Sequence, residues 1–254
     1  MIDIVHSAMM HWWRIVGDAS PGARTLEPSG VVAAVVPATP ERAVCNAVLY
    51  EHPCDLFAAY DEIAAAYAEI GANWTVWVQP EGRTEVAAFL AEQGHFLDAE
   101  PVAMARRLDG EPVERPGPDA LADWTREGDL MELLAVNDAS YTHGTDSWQR
   151  GLAGLPDTMP IYLARHDGEA VGGLTMCDHA SNSEVQIVAV LPEARGRRIA
   201  RHLLAHALAD AAERGNETST LIATKLGRPV YERVGFEALD TFEMWERGSL
   251  RRAA

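Results

Sequence analysis

Four arginines, Arg195, Arg197, Arg198 and Arg201, crowd the start of a helical stretch in "VLPEARGRRIARHLL", residues 190–204. The first turn of a helix leaves backbone N–H groups without internal partners and carries partial positive charge, so a phosphate placed there accepts several hydrogen bonds at once. Gly196 lets the main chain come close to such a ligand. Arginine is electrostatically misplaced at a helix N-terminus unless an anion resides there, so the cluster reads as a local anion site suited to a diphosphate. Neither GxxxxGK[ST] nor GxGxxG occurs in the chain, which sets aside the common nucleotide loops.

The elements needed to hold this cluster are legible around it. "EVQIVAVL" (184–191) reads as a buried strand that feeds a short turn. The helix after it runs from about Arg198 to Arg214, with Ile199, Leu203, Ala207 and Ala211 along one stripe and Gly215 just past its end. Side-chain alternation along the strand predicts that Glu184, Gln186, Val188 and Val190 share one face. Residues 184 and 188 are then roughly 13 Å apart, a distance that favours a proton relay through water over direct contact. Upstream, "DLMELLAVNDASY" reads as a helix and "IYLARHDGEAVGGLTMCD" as a hairpin turning at Asp167 and Gly168. Downstream come the strand "TLIAT" and the helix "RPVYERVG".

Taken together, "VAVLPEARGRRIARHLL" and "YERVGF" about thirty residues on resemble the acyl-coenzyme A site of the GCN5-related N-acetyltransferases (GNAT), whose signature is R/Q-x-x-G-x-G/A. Arg195 and Ala200 match its first and last places, whereas Arg198 stands where the middle glycine is usual. The resemblance spans roughly residues 129–246. It implies that Val188, Ala189 and Val190 present backbone groups to the pantetheine arm. Arg195, Gly196, Arg197, Arg198, Ile199, Ala200 and Arg201 would surround the diphosphate. Glu184 stands where several members keep a general base, with water as the alternative. Tyr231 stands where a phenol can protonate the departing thiolate, and a strand N–H near Val190 would hold the oxyanion. Thr224 occupies a place where an asparagine often touches the cofactor. The loop "NDASYTHGTDSW" lies where members build the acceptor pocket, which makes Tyr141, His143, Asp146 and Trp148 candidates, with Asp146 as counter-charge to an amine.

The activity implied is acetyl-CoA-dependent acetylation of a primary amine, of a small molecule in the first instance, by direct attack on the thioester, with no metal. A protein lysine or N-terminal acetyltransferase and a non-catalytic acyl-CoA sensor are the alternatives.

Composition sets the surroundings. The 254 residues carry 38 acids against 21 lysines and arginines, a formal net charge of -17, with Lys225 the only lysine. Such a surface repels phosphate backbones and argues against nucleic-acid binding. No run of about 18 apolar residues could span a bilayer, and the start lacks the pattern of a signal peptide, so no membrane partner and a cytoplasmic location are expected. Cys45, Cys54 and Cys177, widely spaced and in no CxxC pair, read as buried thiols. The oligomeric state stays open, a homodimer included.

"LDGEPVERPGPD" (108–119) reads as a linker. Before it stand the strands "GVVAAVVP" and "NAVLY", a helix over 55–71, the strand "WTVWV" and a helix over 83–94. Each half thus has a long helix ending in glycine, then a strand, then a short helix, which suggests a divergent tandem repeat. The expected fold is α+β (mixed α/β): two tandem GNAT-like domains, each a mostly antiparallel twisted sheet flanked by helices. The expected bounds are 1–110, a degenerate copy lacking the cofactor loop, and 119–254, the acyl-CoA-binding copy.

Overall fold

The computed structural model describes residues 1–110, 113–115, 117, 123–125, 128–141 and 145–248. In chain order the first elements are α1 (Ile2–Gly17), β1 (Arg24–Leu26), β2 (Val31–Val35), β3 (Ala47–Tyr50), α2 (Pro53–Glu69), β4 (Trp74–Val78), α3 (Arg83–Glu92), β5 (Phe96–Ala99) and β6 (Val102–Arg107). There follow β7 (Asp123–Thr125), α4 (Leu130–Ser140), α5 (Ser147–Leu152), β8 (Ile161–His166), β9 (Glu169–His179) and β10 (Asn182–Val190). The chain continues with α6 (Ile199–Glu213), β11 (Thr218–Ala223), α7 (Arg228–Glu232), β12 (Glu237–Thr241) and β13 (Glu243–Arg247).

Two mostly antiparallel sheets flanked by helices result. One has the order β1-β2-β3-β4-β13-β5 and the other β12-β6-β11-β10-β9-β8-β7. Each contains a parallel pair joined by a long helix: β3 and β4 through α2, and β10 and β11 through α6. That shared βαβ core is the repeat anticipated from the order of parts. The expected bounds follow the chain, but the compact units do not. One unit is Met1–Ala8, Val102–Gln149 and Leu155–Leu239, and the other is Met9–Pro101, Arg150–Gly154 and Asp240–Ala254. The reason is a reciprocal exchange. β6, from the first half, pairs along its length with β11, and β13, from the second half, pairs with β4 and β5.

In the unit built on the second sheet, α6 buries Leu203, Leu204, Ala207, Leu208 and Ala211 against Leu174, Met176, Leu221 and Tyr162. Truncating one of these leucines to alanine would cost about 2–5 kcal/mol. The hairpin between β8 and β9 turns at Asp167 and Gly168, both at positive φ (51° and 86°), which matches strand twist in a two-residue loop. In the other unit, Tyr67 stacks on Trp74 at 4.8 Å and both lie in a core with Val48, Tyr50, Leu56 and Ile63. Cys45 and Cys177 are buried, but Cys54 is exposed, because it stands in the first turn of α2 on the side away from the sheet; the reading of three buried thiols is corrected there.

Candidate active site

β10 positions most of the candidate residues, and it is not a regular strand. Its pairing with β9 runs from Asn182↔His179 to Gln186↔Thr175 and resumes at Ala189↔Gly173, so Ile187 and Val188 together oppose Leu174. This is a β-bulge, with Ile187 in the left-handed region at φ 53°. Antiparallel partners share a face. Glu184, opposite Cys177, and Gln186, opposite Thr175, therefore lie on the face of Gly173 and Ala189, which α4 covers. Val190, opposite Gly172, lies on the other face beside Ile199 of α6. The single common face expected for Glu184, Gln186, Val188 and Val190 is thus corrected: the extra residue of the bulge reverses the alternation.

The bulge coincides with a parting of strands. β10 and β11 pair only over Asn182↔Thr218, Ser183↔Ser219 and Glu184↔Thr220, although β10 continues to Val190 and β11 to Ala223. Buried side chains clamp the base of this cleft. Asn182 Nδ2 donates to Thr220 Oγ1 at 2.8 Å, Thr218 Oγ1 donates to Asn182 Oδ1 at 2.9 Å, and Ser219 Oγ donates to the Ser183 carbonyl at 2.7 Å. Leu191 N–H donates to the Val171 carbonyl, so alternate main-chain groups, those of Val188 and Val190, point away from β9 into the cleft. Ala189 turns its backbone to β9 instead.

Beyond the cleft, the start of α6 is open. Arg198 is its N-cap residue, no side chain caps the helix, and no acid stands in its first turn. Gly196 and Arg198 both adopt left-handed backbone, φ 78° and 62°. Arg198 thus holds a backbone conformation that favours glycine. Gly196, Arg197 and Arg198 are exposed, Ile199 is buried as the helix's first core residue, and Arg201 is exposed one turn along. Arg195, exposed at the same turn, also has partners within the protein. Its Nε donates to the Val190 carbonyl at 3.2 Å and its Nη2 to the Ser140 carbonyl at 2.9 Å, so it braces strand against helix. The corresponding helix of the other unit is closed: α2 has Pro53 in its first turn and a capping box, with His52 N–H donating to Asp55 Oδ2 at 3.1 Å.

Tyr141, Tyr231 and Arg195 converge on this cleft. Tyr141 follows α4, is exposed, and donates from its hydroxyl to the Val188 carbonyl at 3.2 Å. Tyr231 is buried on α7 against Phe236. Burial pushes its phenol well above the usual range, and the nearby Tyr141 adds to the shift. The Tyr141 phenol is also raised by burial, with Arg195 pulling the other way. Glu184 is 1% exposed, and the Gln186 side chain is the one polar group set against its carboxyl. Desolvation pushes it up to about 8, and Gln186 opposes this only in part. Cys177, across the strand, is pushed up to about 12 by burial and by Glu184.

The remaining candidates are less gathered. Thr224 is exposed and its Oγ1 accepts from Gly227 N–H at 3.1 Å, capping the turn before α7. Asp146 is exposed, and Trp148 lies in the first turn of α5 with its N–H donating to Asp138 Oδ1 at 3.0 Å. His143 lies outside the described residues. Two polar residues that the sequence reading passed over are buried on α4. Asp138 accepts from Trp148 and Gln149 N–H groups and caps α5. Asn137 is 3% exposed and its Oδ1 has no partner. The signal was present, since Asn137 falls on the apolar stripe of α4, one turn after Leu133 and one before Tyr141.

Residues 157–238 match the acetyltransferase (GNAT) domain model. Mycothiol acetyltransferase of Streptomyces bingchenggensis (strain BCW-1) is 33% identical over 144 residues, which cover 52% of this chain and 44% of that protein, so the match spans under half the relative's length. Solved structures share the fold over most of the chain. A GCN5-related N-acetyltransferase from Kribbella flavida superposes with a TM-score of 0.68 at 18% identity, covering 96% of this chain and 95% of that one. A tandem GNAT protein from the clavulanic acid biosynthesis pathway, without AcCoA, does so with a TM-score of 0.60 at 14% identity and the same coverage. The fold is thus that of tandem GNAT proteins. No helix among the described residues is long and apolar enough to cross a membrane.

Proposed function

Taking the chain as one that carries a GNAT-family acetyltransferase domain, we propose that it is an acetyl-CoA-dependent N-acetyltransferase acting on a primary amine of a small molecule. The observation that carries this is the uncapped, arginine-rich start of α6 placed directly beyond the cleft where β10 leaves β11. The residues present fit such a co-substrate. Val188 and Val190 turn main-chain groups into the cleft, and Gly196 to Arg201 offer N–H groups and guanidinium charge at a helix N-terminus. Acetyl-CoA supplies an activated thioester when bound.

The chain's own groups supply proton handling and position. Tyr231, raised by burial, keeps its proton at neutral pH and can give it to a leaving thiolate. Glu184, or water beside it, takes the proton of the amine, and a carboxyl raised to about 8 is matched to that task near neutral pH. Thr224 shapes the turn that carries α7, and the acceptor side is formed by Tyr141, Asp146 and Trp148. The name of the Streptomyces relative, a mycothiol acetyltransferase, supports a small-molecule acceptor over a protein one. The first-half copy holds no coenzyme on this reading, because α2 is closed by its own capping box.

Calorimetry with coenzyme A and acetyl-CoA, followed by thiol release in the presence of primary amines, tests the reading. Micromolar coenzyme binding with amine-dependent thiol release is expected. Tight binding without turnover on any amine would make the protein a sensor, and absence of binding at modest salt would remove the proposal altogether.

A further inference from the structure

The unit built on the first sheet contains a cavity of about 250 Å³, lined by Ala64, Ala68, Ala72, Trp74, Arg247 and Gly248. Register brings its walls together. Arg247 pairs with Trp74 across β13 and β4, and antiparallel partners share a face. Trp74 belongs to the core that includes Tyr60, Ile63 and Tyr67 of α2, so Arg247 also stands on the α2 side of the sheet. Tyr60, Ala64 and Ala68 follow one another at four-residue spacing along α2, and the Tyr60 hydroxyl accepts from Arg247 Nη1 at 3.0 Å. The two alanines end at Cβ, which leaves the space beside the Trp74 ring open.

A relay of neutral groups holds the arginine. His95 Nδ1 lies 3.1 Å from the Trp245 carbonyl, which can only accept, so Nδ1 carries the ring proton. Burial pushes the imidazole down to about 4, so at neutral pH its Nε2 accepts from Tyr60 at 2.9 Å. With its own hydrogen committed to His95, the Tyr60 oxygen receives one from Arg247. One corner of the guanidinium is thereby fixed, and its remaining N–H donors face other partners. Arg14, Arg24 and Arg83 of the same unit lie against Glu27, Glu69 and Asp240 at 2.8–3.1 Å. Arg247, among the described residues, has a neutral phenol as its partner instead. Its charge is therefore available to an anion. We infer that this cavity binds a small molecule with an apolar body and one carboxylate, which Arg247 grips while the body lies against Trp74 and the alanines. The site lies within one unit and uses neither α6 nor Tyr231, so it stands or falls apart from the acetyltransferase reading.

Benzoate and pentanoate, with benzamide and pentanamide as uncharged matches, would be titrated into the full isotope-labelled chain while the indole N–H signals are followed by NMR. The Trp74 signal is identified by its loss in Trp74→Phe. At least one of the carboxylates is expected to shift it with a Kd of about 1 mM or tighter, and its amide to bind about tenfold more weakly. Arg247→Met keeps an unbranched stem and removes the charge, so it should bring the carboxylate down to the affinity of the amide. Arg247 is exposed, and its loss should leave the melting temperature within about 2 °C. Tyr60→Phe keeps the charge but removes its brace, and should weaken the carboxylate about three- to tenfold with the amide unchanged. Anions also meet the arginines at the start of α6, so the Trp74 signal is the readout rather than total binding. Equal affinity for carboxylate and amide would overturn the inference. So would undiminished carboxylate binding in Arg247→Met, or a Trp74 signal that neither carboxylate moves at about 10 mM.

Discussion

The Tyr141 hydroxyl donates to the Val188 carbonyl across 3.2 Å, and the carbonyl of the preceding residue, Ser140, accepts from Arg195 at 2.9 Å. The end of α4 is thereby fastened to the cleft strand at one point directly and at another through the arginine, whose Nε also holds the Val190 carbonyl. The two carbonyls that β10 turns into the cleft are satisfied internally. The N–H groups of the same residues are what remains for a ligand, so this edge favours a molecule that brings acceptors.

Tyr141→Phe tests that division. It removes one exposed hydrogen bond, worth about 0.5–1.5 kcal/mol, and leaves the ring in place. The KM for acetyl-CoA is expected to rise about three- to tenfold, with the melting temperature little changed. A variant with unaltered acetyl-CoA kinetics would show that the Val188 carbonyl does not need its donor.

Arg198 occupies left-handed backbone at φ 62°, which costs a residue with a Cβ about 1 kcal/mol relative to glycine. Arg198→Gly should therefore raise stability, by about 2–4 °C in melting temperature for a chain of this length. Arg198→Ala loses the same charge but keeps the strain, and should show no gain. Coenzyme affinity should fall to a similar, small extent in both, since both retain the N–H. Equal melting temperatures for the two variants would mean that no strain is held there.

Tyr231→Phe removes the buried phenol and leaves the packing against Phe236 nearly intact. If that phenol protonates the leaving thiolate, kcat should fall about 10²–10⁴-fold. Coenzyme A affinity should stay within twofold. A variant that turns over at the parent rate would reject the assignment of the acid and leave Tyr231 as a packing residue.

The secondary elements were legible because each rests on a local pattern, and so was the arginine-rich start of α6, which the structure leaves without a side-chain cap. The stripe Ile199, Leu203, Ala207 and Ala211 marks α6, and the arginines with Gly196 mark its start. What was not legible is long-range or depends on register. Nothing local in "VAMARRL" says that β6 leaves its neighbour β5 for β11, and nothing in the letters of β13 says that it completes the opposite sheet. The reading of one face for Glu184 through Val190 assumed an unbroken two-residue period, and one bulge at Ile187 and Val188 reversed it. Arg195 matches the signature by letter, and that its side chain also braces Val190 and Ser140 depends on where α4 ends. Asn137 could have been found from its place on an apolar stripe, but its lack of a partner is visible only once α4 is laid on the sheet.

Glu184 links the proposed chemistry to stability. Its carboxyl is raised from 4.5 to about 8 by desolvation, so between those values the folded protein holds a proton that the unfolded chain has released. Where the unfolded state binds fewer protons, stability falls as pH rises. The loss should begin above about pH 4.5, continue to about pH 8 and then level off, once Glu184 is ionised in both states. Glu184→Gln removes the ionisation and keeps the shape. The difference in unfolding free energy between variant and parent should therefore shift toward the variant as pH rises from 5 to 9, as measured by urea denaturation at several pH values. In the same interval parent kcat/KM should climb with an inflection near 8, as the carboxylate becomes able to accept a proton, and the variant's profile should lose that inflection. A parallel pair of stability curves would place the Glu184 carboxyl in water rather than under α4. An inflection that survives in Glu184→Gln would assign the base to water or to the amine's own ionisation.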